Sequence, residues 1–181
     1  ERQNVWGSIT WTNTGVGYYS VVNNTFTDGN STIFGDANAT VVGKASLSGA
    51  NTSQMTIKSM PVGYYRVKYD GSTYANSGGS ATNVECVARI IETTTSTSVA
   101  QGWWTGSPSI NVDINRPEIE GIFYNSSVGD RTFKHQISMY SPTAGITTQR
   151  CGWLGYTNVA GGTTTGGSLG QPRMIVQPLD Q

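Results

Sequence analysis

Short alternations of apolar and polar residues run along most of this chain, and no stretch carries the three-and-four spacing of an amphipathic helix. Near the start, Val5, Ile9 and Trp11 fall on one phase and Trp6, Ser8 and Thr10 on the other. An apolar run occupies residues 18–22, and a third region at 33–42 is predicted to bulge at Gly35. Met55 and Ile57 oppose Thr56 and Lys58; beyond Pro61, Tyr65, Val67 and Tyr69 oppose Tyr64, Arg66 and Lys68. Residues 84–91 are apolar on both phases except at Glu85 and Arg89, which predicts a central strand. Ile110, Val112 and Ile114 alternate with Asn111, Asp113 and Asn115, and Ile119, Gly121 and Phe123 with Glu118 and Glu120. Phe133, His135, Ile137 and Met139 alternate with Thr132, Lys134, Gln136 and Ser138, and residues 174–177 close the chain as an apolar strand between Pro172 and Pro178. A period of two throughout predicts an all-β chain of roughly eight to ten strands, arranged as an antiparallel sandwich or barrel.

Glycine pairs punctuate these strands. Asp28-Gly29, Asp70-Gly71, Gly78-Gly79, Gly129-Asp130 and Gly161-Gly162 read as turns. Residues 160–170, rich in Gly, Thr and Ser, read as one long exposed loop, and too little chain follows it for a second domain. Residues 1–181 therefore read as one domain, with 1–15 as an N-terminal arm or linking strand. Beginning at Glu1, with neither an initiator Met nor a signal peptide, the sequence reads as a processed chain or the end of a longer polypeptide.

Composition changes the picture in one respect. Charged residues make up 12% of the chain, against about 25% in ordinary domains, and Ser, Thr, Gly and Asn take their place. A surface of hydroxyls and amides suits a secreted protein or a virus fibre. The 11 basic and 11 acidic residues balance, which argues against a nucleic-acid partner held by phosphate neutralisation. No apolar run approaches the ~20 residues of a membrane-spanning helix, so no membrane insertion is expected. Cys86 and Cys151 can pair in an oxidising compartment, but a core this large needs no staple, and two buried thiols are the simpler reading. The five Asn-x-Ser/Thr sequons, at Asn23, Asn30, Asn38, Asn51 and Asn125, mark surface loops only in a chain that traverses a eukaryotic secretory pathway.

Candidate chemistry is sparse. His135 is the single histidine, in phase with Phe133, Ile137 and Met139, and no Gly-x-Ser-x-Gly elbow accompanies it; a core or assembly-axis histidine is expected instead of a triad member. Glu118 and Glu120 share one strand face, whereas glycosidase carboxylates oppose each other across a sugar, so they read as a solvated polar face. Asp28-Gly29-Asn30 and Asp70-Gly71-Ser72 bring one carboxylate each and read as turns, not calcium loops; no metal or cofactor is expected. Trp103 and Trp104 are adjacent and must point to opposite faces, one into the core and one toward a subunit, loop or ligand. Trp153 and Tyr156 precede the Gly-rich loop and offer stacking area for a sugar ring. The candidate binding residues are Trp104, Trp153, Tyr156, Thr163 and Thr164.

Gly63-Tyr64-Tyr65 followed by Arg66-Val67-Lys68-Tyr69, after the turn at Pro61-Val62, resembles the Gly-x-Tyr element of the TNF-like jelly roll. That fold is shared by tumour necrosis factor and the globular heads of complement recognition proteins. Val128-Gly129-Asp130 before the Phe133–Met139 run is similar to that family's Gly-Asp approach to a long core strand, and Met174-Ile175-Val176 to its buried last strand. The approach to that last strand, Gly170-Gln171-Pro172, departs from the family's Gly-aromatic pattern, and the segment before residue 50 aligns loosely. The resemblance implies a ten-stranded jelly roll forming a homotrimer about an aromatic-lined axis. Phage and other viral fibres and decoration proteins reuse such trimers.

The expected function is that of a non-enzymatic structural protein at the virion surface or outside the cell. It would be a trimeric fibre or spike tip in host attachment, or a capsid decoration (cement) protein. Its expected partners are itself, other virion proteins and a host-surface glycan or protein. The alternative is a secreted carbohydrate-binding or complement-like recognition module.

Overall fold

The computed structural model describes residues 6–11, 18–21, 24–29, 34, 39–47, 53–77, 83–106, 113–115, 117–140, 149–154 and 172–179. Within them the chain forms fifteen β-strands and no helix. The first sheet runs in the order β12 (Ile119–Asn125), β7 (Gly63–Asp70), β15 (Arg173–Pro178), β1 (Gly7–Thr10) and β4 (Thr40–Gly43). The second runs β10 (Thr97–Gly106), β9 (Val84–Glu92), β13 (Gly129–Tyr140), β6 (Gln54–Met60) and β5 (Ala45–Leu47), with β3 (Thr27–Asp28) also paired to β13. A smaller third sheet runs β11 (Asp113–Asn115), β8 (Thr73–Asn76), β14 (Arg150–Leu154) and β2 (Tyr18–Val21). Every pairing is antiparallel.

The long strands pair in a nested way: β1 with β15, β6 with β13, β7 with β12 and β9 with β10. First thus meets last, and each later strand meets its counterpart counted back from the end. The two members of each pair lie in the same sheet, and the pairs fall in two facing layers. Two adjacent crossovers between the layers are tied together by one side chain. At the end of β12, the buried Asn125 donates through Nδ2 to the carbonyls of Met60 (2.8 Å) and Pro61 (2.7 Å), on the β6–β7 crossover. Its Oδ1 accepts from Arg131 Nε at 2.7 Å, just beyond the β12–β13 crossover. The amide nitrogen of this sequon is therefore committed inside the fold.

The core lies between the layers and follows the alternation read from the sequence. Tyr65, Val67 and Tyr69 of β7 are buried, as are Phe133, His135, Ile137 and Met139 of β13 and Ile119 and Phe123 of β12. Rings meet across the gap: Phe123 and Phe133 are edge to face at 5.3 Å, and Tyr69 stacks on His135 at 3.6 Å. Strand β9 lies between β10 and β13, as its two-sided apolar pattern predicted. At the sandwich edge β10 and β12 come close, because a bulge between Ser98 and Ala100 pushes the Val99 carbonyl toward Gly121. A Cβ at Gly121 would collide with that oxygen.

Three local expectations are corrected. Cys86 of β9 and Cys151 of β14 form a disulfide with Cα atoms 5.7 Å apart, where the sequence reading favoured free thiols. Gly129-Asp130 is not a turn but the start of β13, since Gly129 pairs with Met60; the Asp130 carboxylate accepts from the Ser59 amide at 2.9 Å and pairs with Lys58 at 2.8 Å. Asp28 likewise belongs to β3, opposite Gln136. Residues 35, 78–79 and 155–171, which include the expected bulge, two glycine turns and the Gly-rich loop, lie outside the described residues.

Candidate functional site

On the outer face of the first sheet, Tyr64, Arg66 and Lys68 of β7 point away from the core beside Glu120, Ile122 and Tyr124 of β12. Ion pairs link Arg66 to Glu120 at 3.2 Å and Lys68 to Glu118. They neutralise the middle of the face, in keeping with the solvated reading of the two glutamates. Toward the crossovers the face turns apolar. Tyr64 and Tyr124, directly opposite in register, have ring centroids 4.7 Å apart, and both rings are more than half exposed with Ile122 beside them. Val62 and Val128 add exposed apolar surface on the two crossovers. A cleft of about 250 Å³ opens alongside, between the β9–β10 turn and the end of β12, lined by Thr95, Ser98, Ile122, Tyr124 and Arg131 among others. That turn is rigid at its base: the buried Glu92 carboxylate accepts from the amides of Thr94 and Thr95 and from the Thr95 hydroxyl. Burial would raise its pKa, but these hydrogen bonds hold it below the usual carboxylate value.

His135 is fully buried. Its Nδ1 accepts the Trp153 indole N–H at 2.9 Å, which places the proton of the neutral ring on Nε2. Burial pulls its pKa down to about 3. An edge-to-face chain of rings continues through Trp153, Phe34 and Trp11. Among the described residues this is a packed aromatic interior, and the histidine is its polar joint. Among the described residues, no three His, Cys, Asp or Glu side chains gather as a metal set.

Two of the expected binding residues, Trp104 and Trp153, lie among the described residues. Trp153 is 0% exposed and Trp104 is 7% exposed, so neither ring offers a stacking face in this structure; Tyr156, Thr163 and Thr164 lie outside the described residues. The outward member of the tryptophan pair is Trp103, at 62% exposure. The β10 bulge explains the exchange. Ser98 pairs with Ile91 on the outer face, and unbroken alternation from there would carry Trp104 outward; the extra residue, Val99, shifts the phase by one. Sequence reasoning also passed over Tyr64, Ile122 and Tyr124. Their signal was present: they are large apolar residues on the phase that Arg66, Lys68, Glu118 and Glu120 mark as outward.

No protein-family model matches the sequence, and no curated protein aligns with it significantly. The reading of this surface rests on its own chemistry.

Proposed function

We propose that the protein is a non-enzymatic structural protein of the virion surface: a jelly-roll domain that assembles as a homotrimer, as a fibre or spike tip or a capsid decoration. The observation that carries it is the exposed apolar patch of Tyr64, Ile122 and Tyr124 on a charge-poor sandwich. Exposed aromatic groups clustered on a rigid sheet mark a contact surface, since water gains when they are covered. The paired charges beside the patch carry no net sign, which suits contact with a further copy of the same chain. The nested strand pairing supports the jelly-roll reading, because a hairpin rolled into two layers is the defining path of that architecture. The disulfide supports a location outside the reducing cytosol. It fits equally a secreted recognition module, which remains the second reading.

Sedimentation equilibrium at micromolar concentration tests the assembly. The native chain is expected at three times its own mass, and the double variant Tyr64→Ser, Ile122→Ser at its own mass with the fold retained. A native protein that sediments as a single chain removes the basis for the proposal.

A further inference from the structure

The opposite face of the sandwich carries a different surface. Three consecutive rungs of the second sheet present their side chains outward there. The middle rung is Trp103, Val87 and Ser138; on one side lie Gln101, Arg89, Gln136 and Asp28, and on the other Thr105, Glu85 and Tyr140. Trp103 and Tyr140 are large exposed rings of this array, and the half-buried Phe26 ring lies against Arg89, while Val87 and Ser138 are buried. Strand β9 lies between the strands that carry the two exposed rings.

The polar groups of the array hold one another in place. Arg89 Nε donates to Gln136 Oε1 at 2.9 Å, Gln136 Nε2 to Asp28 Oδ1 at 2.6 Å, and Lys134 Nζ to Asp28 Oδ2 at 2.9 Å. The Arg89 guanidinium lies 3.9 Å above the Phe26 ring, which fixes its plane. Side chains already ordered before a ligand arrives lose little entropy when it binds.

We propose that this face, centred on Trp103, is a binding site for neutral carbohydrate. A pyranose has an apolar C–H face that matches an aromatic ring and an equatorial rim of hydroxyls that matches planar amide, guanidinium and carboxylate groups. Two cations, Arg89 and Lys134, stand beside two anions, Asp28 and Glu85, so these described residues of the face give no net charge with which to hold a phosphate polymer or a strongly acidic glycan. Its exposed rings, Trp103 and Tyr140, stand on different strands among polar groups, unlike the continuous apolar centre of a protein interface. The site goes beyond the assembly reading and does not depend on it, because Tyr64, Ile122 and Tyr124 lie on the other sheet.

Affinity electrophoresis of the native protein through gels containing mannan, galactan, xylan, glucan or soluble chitin derivative tests the site. Oligosaccharides from any retarding polymer are then titrated against tryptophan fluorescence. Trp103 is the most exposed tryptophan, and Trp11, Trp104 and Trp153 are buried, so bound sugar is expected to shield the emission from iodide quenching. Trp103→Ala and, independently, Gln101→Ala are expected to weaken binding about tenfold or more, with Tyr64→Ser, Ile122→Ser binding like the native chain. The quenching readout needs no variant, so it stands if Trp103→Ala fails to fold. The proposal is overturned if no polymer retards the protein, if Trp103 stays open to iodide in the bound state, or if loss of binding follows the Tyr64 and Ile122 substitutions instead.

Discussion

At His135, an indole N–H that can only donate faces Nδ1, so protonation would set two donors against each other in a site closed to water. The folded state holds this group at a pKa of about 3, against 6.5 for the free side chain, so between those values the unfolded chain binds more protons and stability falls as pH falls. From pH 7 to pH 5 the loss is expected to be about 2 kcal/mol. Glu92 also loses stability on acidification, because its folded pKa is lowered, but its window lies below the ordinary carboxylate value of 4.5. Urea unfolding at pH 7 and pH 5 therefore isolates the histidine. His135→Gln, whose amide oxygen can still accept from Trp153, should flatten the difference; an unchanged slope would assign the acid sensitivity to another group. That His135 faces inward was legible from its phase with Phe133 and Ile137. Its partner Trp153 was not, because the two residues are joined by tertiary packing of β13 against β14.

Among the elements, β10 and β12 show how one extra residue governs a surface. The bulge at Val99 decides which of Trp103 and Trp104 meets solvent, and it also brings a carbonyl against β12 where only glycine fits. Gly121→Ala is expected to destabilise the fold by about 2 kcal/mol or more, since backbone on both sides must move to admit the methyl group. Thermal unfolding measures this. The same substitution at Gly129, where a Cβ meets nothing within 4 Å, is the matched control and should change stability little. Alternation within β7, β12 and β13 could be read directly from the chain because each runs unbroken along the core. A bulge leaves no comparable mark, for Val99 is an ordinary strand residue and the displacement arises from its pairing with β9.

For the whole molecule, the Cys86–Cys151 bond fastens the second sheet to the third across a separation of 65 residues. Closing a loop of that length in the unfolded chain corresponds to about 4 kcal/mol of stability by the chain-entropy argument. The reduced protein is therefore expected to unfold at distinctly lower urea than the oxidised one at pH 7; coincident curves would show that the link contributes nothing. The sequence by itself determined the all-β class, the strands' inward residues and the low-charge surface, because these follow from local period and composition, which need no knowledge of the strands' neighbours. Only the tertiary structure decided the disulfide, the commitment of Asn125 to two crossovers, and the placement of Tyr64, Ile122 and Tyr124 on one face with Trp103 on the other. Each of these depends on which distant strands pair and in what register, and in an antiparallel sheet a shift of one residue sends every side chain to the opposite side.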